Sequence, residues 1–153
     1  MDQIDRNLLK ALQGNAQMTA QELGEHLNLS TSQAGRRRAR LEQQGYIRAY
    51  TARLDPALLG LRVQAFIQVQ MESQAPEAAQ AFLRLVRLRD EVTSVWTLTG
   101  DADYLMRVYC SDLAALNVLI HEVLLPHPSV QRVHSQIVLD HVKQDAPLPT
   151  DYG

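Results

Sequence analysis

The chain has 153 residues and a formal net charge of -2, with 46% hydrophobic and 21% charged residues. That is room for one medium domain or two small ones, in the composition of an ordinary globular protein. It excludes a uniformly basic nucleic-acid binder; no apolar run nears the roughly 18 residues of a membrane span, and Cys110, the only cysteine, excludes an internal disulfide.

The charge is unevenly spread: residues 1–55 carry eight basic against six acidic side chains, and residues 56–153 carry seven against eleven. A basic first third on an acidic body suggests a DNA-facing part and a part with another task. The lone thiol fits a reducing compartment. The opening MDQIDRNLLK is acidic and polar rather than signal-like. A cytoplasmic location is therefore expected.

Residues 2–13 place Ile4, Leu8 and Leu12 at steps of four with Leu9 beside them, which predicts an amphipathic helix ended by Gly14-Asn15. Thr19 and Glu22 form a capping box for a second helix with Leu23 and Leu27 on its buried stripe. After the short break Asn28-Leu29, residues 30–47 read STSQAGRRRARLEQQGYI. Ser30 and Gln33 form another capping box, Gly45 sits where a C′ glycine belongs, and Ala34 and Leu41, seven apart, share one face. No straight helix buries Arg36, Arg37, Arg38 and Arg40 together, so this surface meets either water or phosphate. The two preceding helices favour phosphate, because the three together read as a helix-turn-helix unit over residues 1–50. Thr31, Ser32 and Gln33 stand at the helix tip, where base edges are reached, and Gln pairs well with adenine. Arg37 and Arg40 rank first among the phosphate or base contacts, with Arg36 next; Arg38 is ambiguous, and Ser30 is read as a cap.

Residues 48–54 read as a short extended segment, and residues 51–61 as a connector strand and linker punctuated by Asp55-Pro56. From Val63 the period becomes that of a strand, through Met71. Pro76 opens a helix with Phe82, Leu85, Val86 and Arg89 on its stripe. Residues 92–99 form a strand, Gly100-Asp101-Ala102-Asp103 a turn, and residues 104–110 the returning strand. Ser111 or Asp112 caps a helix carrying Leu113, Leu116, Ile120 and Val123, ended by Pro126 and Pro128. Residues 130–138 are the last clear strand, with 139–143 as a possible extension. The order βαββαβ over residues 62–145 is ferredoxin-like, and the polar, Pro-rich residues 146–153 form a tail that is loose or used in an oligomer contact. The expected class is α+β: a winged-type helix-turn-helix head followed by a ferredoxin-like domain.

Five stretches in register resemble the Lrp/AsnC (feast/famine) transcriptional regulators: IDRNLLKALQ, LGEHLNLSTSQAGRRRARLEQQGYI, TARLDPALLG, TGDADYLMRV and LLPHPSVQRVHSQIVL. The resemblance covers residues 2–149. It implies a C-terminal domain that dimerises by sheet packing, dimers that assemble further, often into octamers, and an amino-acid effector bound between dimers near the GDxDY turn. Two departures stand out. Arg38 occupies a position where the family usually has Val or Ile against the core, so its head must snorkel or the helix must tilt. Gly35 lies inside the helix, at a cost of about 1 kcal/mol relative to Ala.

On residue chemistry alone, Gly100, Asp101, Asp103 and Tyr104 make a hairpin turn. The resemblance adds an effector role: a carboxylate accepts from an α-ammonium group, and turn amides donate to an α-carboxylate. Asp103 is the first candidate for the ammonium, and Ser135 and Gln136, with Ile137, are candidates to line the same pocket from a neighbouring subunit. His26, His121, His127, His134 and His141 show no ligand spacing, so no metal and no cofactor are expected. Trp96 reads as core or interface packing. The expected protein is a sequence-specific regulator that binds double-stranded DNA and itself, is not an enzyme and has no membrane partner. Two rivals remain: a haem-biosynthetic decarboxylase-like enzyme of the same fold, and an architectural DNA-compacting protein.

Overall fold

In the computed structural model, residues 1–73 and 75–150 are described. They divide into two units, Met1–Arg53 with the chain from Val142 onward, and Leu54–His141.

Three capped helices build the first unit: α1 (Gln3–Gly14), α2 (Ala20–Leu27) and α3 (Thr31–Gln43). The reciprocal boxes read from the sequence at Thr19/Glu22 and Ser30/Gln33 are both present, and Asp2/Asp5 forms a third. Each satisfies first-turn amides that a helix cannot pair internally. Leu8, Leu12, Leu23, Ala34 and Leu41 close the core of this unit. Between α2 and α3 the backbone approaches so closely that a Cβ on Gly24 would lie 2.7 Å from the Leu29 carbonyl oxygen. Only glycine fits there.

Two expectations are corrected. Residues 51–61, expected as a connector strand and linker, contain no strand, and residues 48–54 carry no regular secondary structure. No strand among the described residues pairs with this segment, and extended backbone without a ladder partner bonds to water instead. The tail is not loose as far as it is described. Gln13 Nε2 donates to the Leu148 carbonyl at 2.9 Å, the Leu148 amide donates to Gln13 Oε1 at 2.6 Å, and Arg53 Nη1 donates to the Asp145 carbonyl at 2.7 Å. Residues 151–153 of the expected tail lie outside the described residues.

The second unit runs β1 (Val63–Met71), α4 (Pro76–Arg87), β2 (Val92–Thr97), β3 (Tyr104–Cys110), α5 (Leu113–Val118) with a π-helical continuation Leu119–Leu124, and β4 (Val130–Ile137). The sheet order is β2-β3-β1-β4 with every neighbour antiparallel, which is the ferredoxin-like arrangement. Strict alternation sends Ala65, Ile67, Val69 and Met71 of β1 and Tyr104, Met106, Val108 and Cys110 of β3 into one core with Phe82, Val86, Leu116, Leu119 and Leu124. In the helix after β3 the expected stripe holds at Leu116, which is buried, and at Ile120 and Val123, which pack partly buried against the core; Leu113 departs from it at 60% exposed, and Leu119 and Leu124 are buried on the same side. A π turn spans Leu119–Leu124. Arg89 lies beyond the end of α4, and residues 139–143 do not extend β4.

A Cβ on Gly35, inside α3, would meet only the Ala20 Cβ, at an ordinary 3.7 Å. Gly35→Ala is therefore expected to stabilise the protein by about 1 kcal/mol, while Gly24→Ala lowers stability by forcing α2 and α3 apart. Urea unfolding of both variants checks the pair; a lower midpoint for Gly35→Ala would show that α3 needs the glycine for a reason other than space.

Candidate functional site

In α3, Arg37 and Arg38 follow buried Ala34 by three and four residues, so the helical period turns both toward the docked side. Arg37 Nη1 donates to Asp2 Oδ2 and to Asp5 Oδ1, both at 2.7 Å. Arg40 Nη2 donates to Asp5 Oδ1 and Oδ2, again at 2.7 Å. Asp5 also accepts the Asp2 amide at 3.1 Å and is 1% exposed. Four donor contacts thus meet the four lone-pair sites of one buried carboxylate. Removing a partner from a fully buried pair costs about 3–5 kcal/mol; the cost here is smaller, because the side chains of Arg37 and Arg40 are 24% and 46% exposed.

Arg38 snorkels. Its Nη1 donates to the Met18 carbonyl at 2.9 Å, and its Nε donates to Glu42 Oε1 at 3.1 Å and to the Tyr50 hydroxyl oxygen at 3.0 Å. The guanidinium also lies 4.7 Å from the Tyr50 ring centroid. Arg36 is different: it is exposed, with no ion pair or side-chain hydrogen bond among the described residues. The two arginines that the sequence ranks first as phosphate contacts are held by carboxylates, and the one ranked next is open.

At the tip, Thr31, Ser32 and Gln33 are all exposed. Gln33 Oε1 accepts the Ser30 amide at 3.0 Å and the Ser30 hydroxyl at 3.1 Å. Only its amide NH₂ remains for a base, whereas bidentate pairing with adenine needs the oxygen as well. Ala39 is also exposed and continues the ridge Ser32–Arg36–Ala39 at helical spacing. Sequence reasoning passed over it, although its distance of three from Arg36 puts it in line. A methyl group there suits apolar contact with a thymine methyl.

In the second unit, Gly100 has φ +115, a conformation open to glycine and strained for other residues. Asp103 is built into the sheet end: its amide donates to the Val69 carbonyl at 3.0 Å, and its Oδ2 accepts the Met71 amide at 2.7 Å. That amide sits where the β1–β4 register shifts between Gln70 and Met71, so the carboxylate covers a donor at a ladder irregularity. Tyr104 is 7% exposed and stacks on Phe82 at 5.2 Å, which makes it a core residue. Asp101 is exposed. Ser135 and Gln136 lie on β4 opposite Ile67 and Phe66, with β1 and β3 between that strand and β2. Successive strand residues face opposite sides, so these two point to different faces of the sheet. The structure brings Gly100, Asp101 and Asp103 together and leaves Ser135 and Gln136 apart from them within the unit. Among the described residues no group of three or more His, Cys, Asp or Glu side chains is placed to hold a metal ion.

A helix-turn-helix unit on a ferredoxin-like unit defines a two-domain, ligand-responsive DNA-binding regulator. Residues 1–42 match the AsnC-type helix-turn-helix domain, and residues 64–148 match the Lrp/AsnC ligand binding domain. The leucine-responsive regulatory proteins of Salmonella typhimurium and Escherichia coli are 33% identical over 144 residues, covering 94% of this chain and 88% of theirs. A transcriptional regulator from Neisseria meningitidis, solved as a complex with L-Met, superimposes with a TM-score of 0.94 at 37% identity, covering 99% of this chain and 98% of that one. An AsnC family regulator from Agrobacterium tumefaciens gives 0.91 at 30% identity, with 99% of both chains covered. The chain belongs to the Lrp/AsnC family of transcriptional regulators.

Two predictions follow from the bonds of the carboxylates. Asp103→Ala leaves the Met71 amide unpaired and is expected to cost roughly 1–3 kcal/mol, whereas Asp103→Asn keeps an acceptor and recovers most of it; equal melting temperatures for the two variants would remove this bond from the account. The second concerns acid. The Asp2 carboxyl is held below its ordinary 3.8, first by the Asp5 amide and then by Arg37, and the Glu42 carboxyl below its ordinary 4.5, first by the Tyr50 hydroxyl and then by Arg38. Both folded values are depressed, so their stabilisation is complete above the ordinary values and is lost as pH falls through the lowered ones. The melting temperature should drop below about pH 4.5, and less steeply in Asp2→Asn and Glu42→Gln; parallel profiles would contradict this.

Proposed function

We propose that this chain is a cytoplasmic, sequence-specific DNA-binding regulator that works as a homo-oligomer, answers to an amino acid and has no enzymatic activity. The observation that carries the DNA reading is the solvent-facing tip of α3, where Thr31, Ser32 and Gln33 lead into Arg36, which has no ion pair or side-chain hydrogen bond among the described residues. One such helix enters a major groove, and two in a dimer read a pseudo-palindromic site. The amino-acid reading is supported by the L-Met complex of the Neisseria relative. At the turn, Asp101 and the free oxygen of Asp103 are the acceptors for an α-ammonium group, with amides around Gly100 as donors to an α-carboxylate. Ser135 and Gln136 join this site from a neighbouring subunit.

The sheet face away from the core carries Phe66, Leu105 and Tyr109, with Trp96 44% exposed. None of these enters the core cluster. A second copy packed on this face makes the dimer, and dimers assemble further, to an octamer in the fullest case. Phe66→Glu is expected to shift the protein toward monomer in sedimentation velocity while far-UV circular dichroism is unchanged; an unaltered sedimentation coefficient would place the interface elsewhere.

The function itself is tested by a thermal-shift screen against the twenty amino acids, methionine first, followed by DNA binding with and without the hit. A ligand at a hundred times its Kd should stabilise the protein by about 2.7 kcal/mol. No shift with any amino acid would refute the effector reading. Equal affinity for selected and random duplexes would favour a DNA-compacting protein, and a Soret band in the purified protein would favour the haem enzyme.

A further inference from the structure

The structure assigns Asp5 a role that rests on the DNA-binding reading above and goes beyond it: its buried carboxylate takes the place of DNA phosphate on Arg37 and Arg40, and so sets the specificity of the recognition helix. Three of the four arginines on α3, Arg37, Arg38 and Arg40, are met by the carboxylates of Asp2, Asp5 and Glu42 at 2.7–3.1 Å. Among the described residues the fourth, Arg36, has no carboxylate partner.

Carboxylate and phosphate offer a guanidinium the same kind of paired anionic oxygens. An arginine leaving Asp5 for a phosphate would strand a carboxylate that is 1% exposed. Arg37 and Arg40 are therefore committed before DNA arrives. The consequence lies in how DNA affinity is composed. Sequence-independent binding grows with the number of phosphates neutralised, while base edges carry the specificity. Internal neutralisation lowers the first term and leaves the ridge Ser32–Arg36–Ala39 untouched, so the ratio of specific to non-specific affinity rises. Asp5 also anchors α3 to α1, which fixes the angle at which that ridge is presented.

The competing account makes Asp5 a scaffold only: Arg40, 46% exposed, would still reach a phosphate with its remaining N–H groups. Salt dependence separates the two. Fluorescence anisotropy with the full chain compares a duplex selected from random sequence by the wild-type protein with an unselected duplex, across a series of salt concentrations. For Asp5→Asn, which frees Arg40 while Asp2 still holds Arg37, the expected result is tighter binding to unselected DNA, on the order of tenfold at low salt, a salt slope steeper by about one unit, and a smaller specificity ratio. For Arg40→Gln the slope stays at the wild-type value, while for Arg36→Gln it falls by about one. A fall of about one unit in Arg40→Gln, or an unchanged slope in folded Asp5→Asn, would overturn the proposal. Arg40→Gln keeps the Arg37–Asp5 pair, so it decides the question even if Asp5→Asn fails to fold. Wild-type protein without salt-dependent DNA binding would refute the DNA reading itself, and this inference with it.

Discussion

Asp5 lies on the first turn of α1, is 1% exposed and is met by two guanidinium groups from α3. A carboxylate so far from water must be satisfied by protein donors, and the donors available come from α3, the helix proposed above to face DNA. Among the described residues the core of this unit has five buried apolar side chains. Apolar burial alone resists sliding and rotation weakly, because it has no direction. Charge-assisted bonds of 2.7 Å supply the direction, and they fix which side of α3 faces inward. Arg38 acts likewise at the next position, tying α3 to the Met18 carbonyl and to Tyr50. The arginine run that looks like a DNA-binding feature is thus mostly a means of holding the helix.

The second unit rests on a different constraint, the alternation of strands that puts one face on the helices and the other outside. Asp103 shows how the turn after β2 depends on it. The register shift at Gln70/Met71 disturbs the ladder, the Asp103 carboxylate accepts the Met71 amide, and the turn is thereby pinned to the end of β1. In the effector site proposed above, a turn held in this way would lower the entropy lost when a small zwitterion binds.

Much of this was legible in the sequence, for physical reasons. Two of the three capping boxes are spelled by residues three apart, and β1 and β3 by period-two runs that core packing enforces. Pro76 at N1 marked α4, and Asp112 capped α5. Local rules did not reach the π turn over Leu119–Leu124, nor show that Leu119 and Leu124 are the most buried side chains there, with Ile120 and Val123 packed partly buried beside them. Nor did they reach residues 48–54, whose composition suits a strand but which have no partner among the described residues. The arginines were half legible. Their number excluded a buried face, and that argument treated all four alike. The spacing from Ala34 already put Arg37 and Arg38 on the docked side, and a cation on a docked face requires an anion. Asp5 was in view as part of an amphipathic helix, yet a pairing across 32 residues is invisible to a reading that moves along the chain.

A net charge of -2 is then consistent with a DNA-binding role. An acidic body repels the duplex at long range, and the head offers few uncommitted cations, so a single head captures random DNA weakly. In the oligomer proposed above, that weakness has a use. Once one head has found its half-site, the second binds at an effective concentration fixed by the assembly, and overall affinity can exceed that of either head by a factor of about 10²–10⁴ without further contacts. Two correct half-sites at the correct spacing are needed for that gain, and random DNA seldom supplies both. A strongly basic head would bind anywhere and make the spacing irrelevant. As proposed, internal neutralisation of α3 and assembly through the sheet domain would therefore act together: the first would suppress binding to the wrong sequence, and the second would restore affinity on the right one.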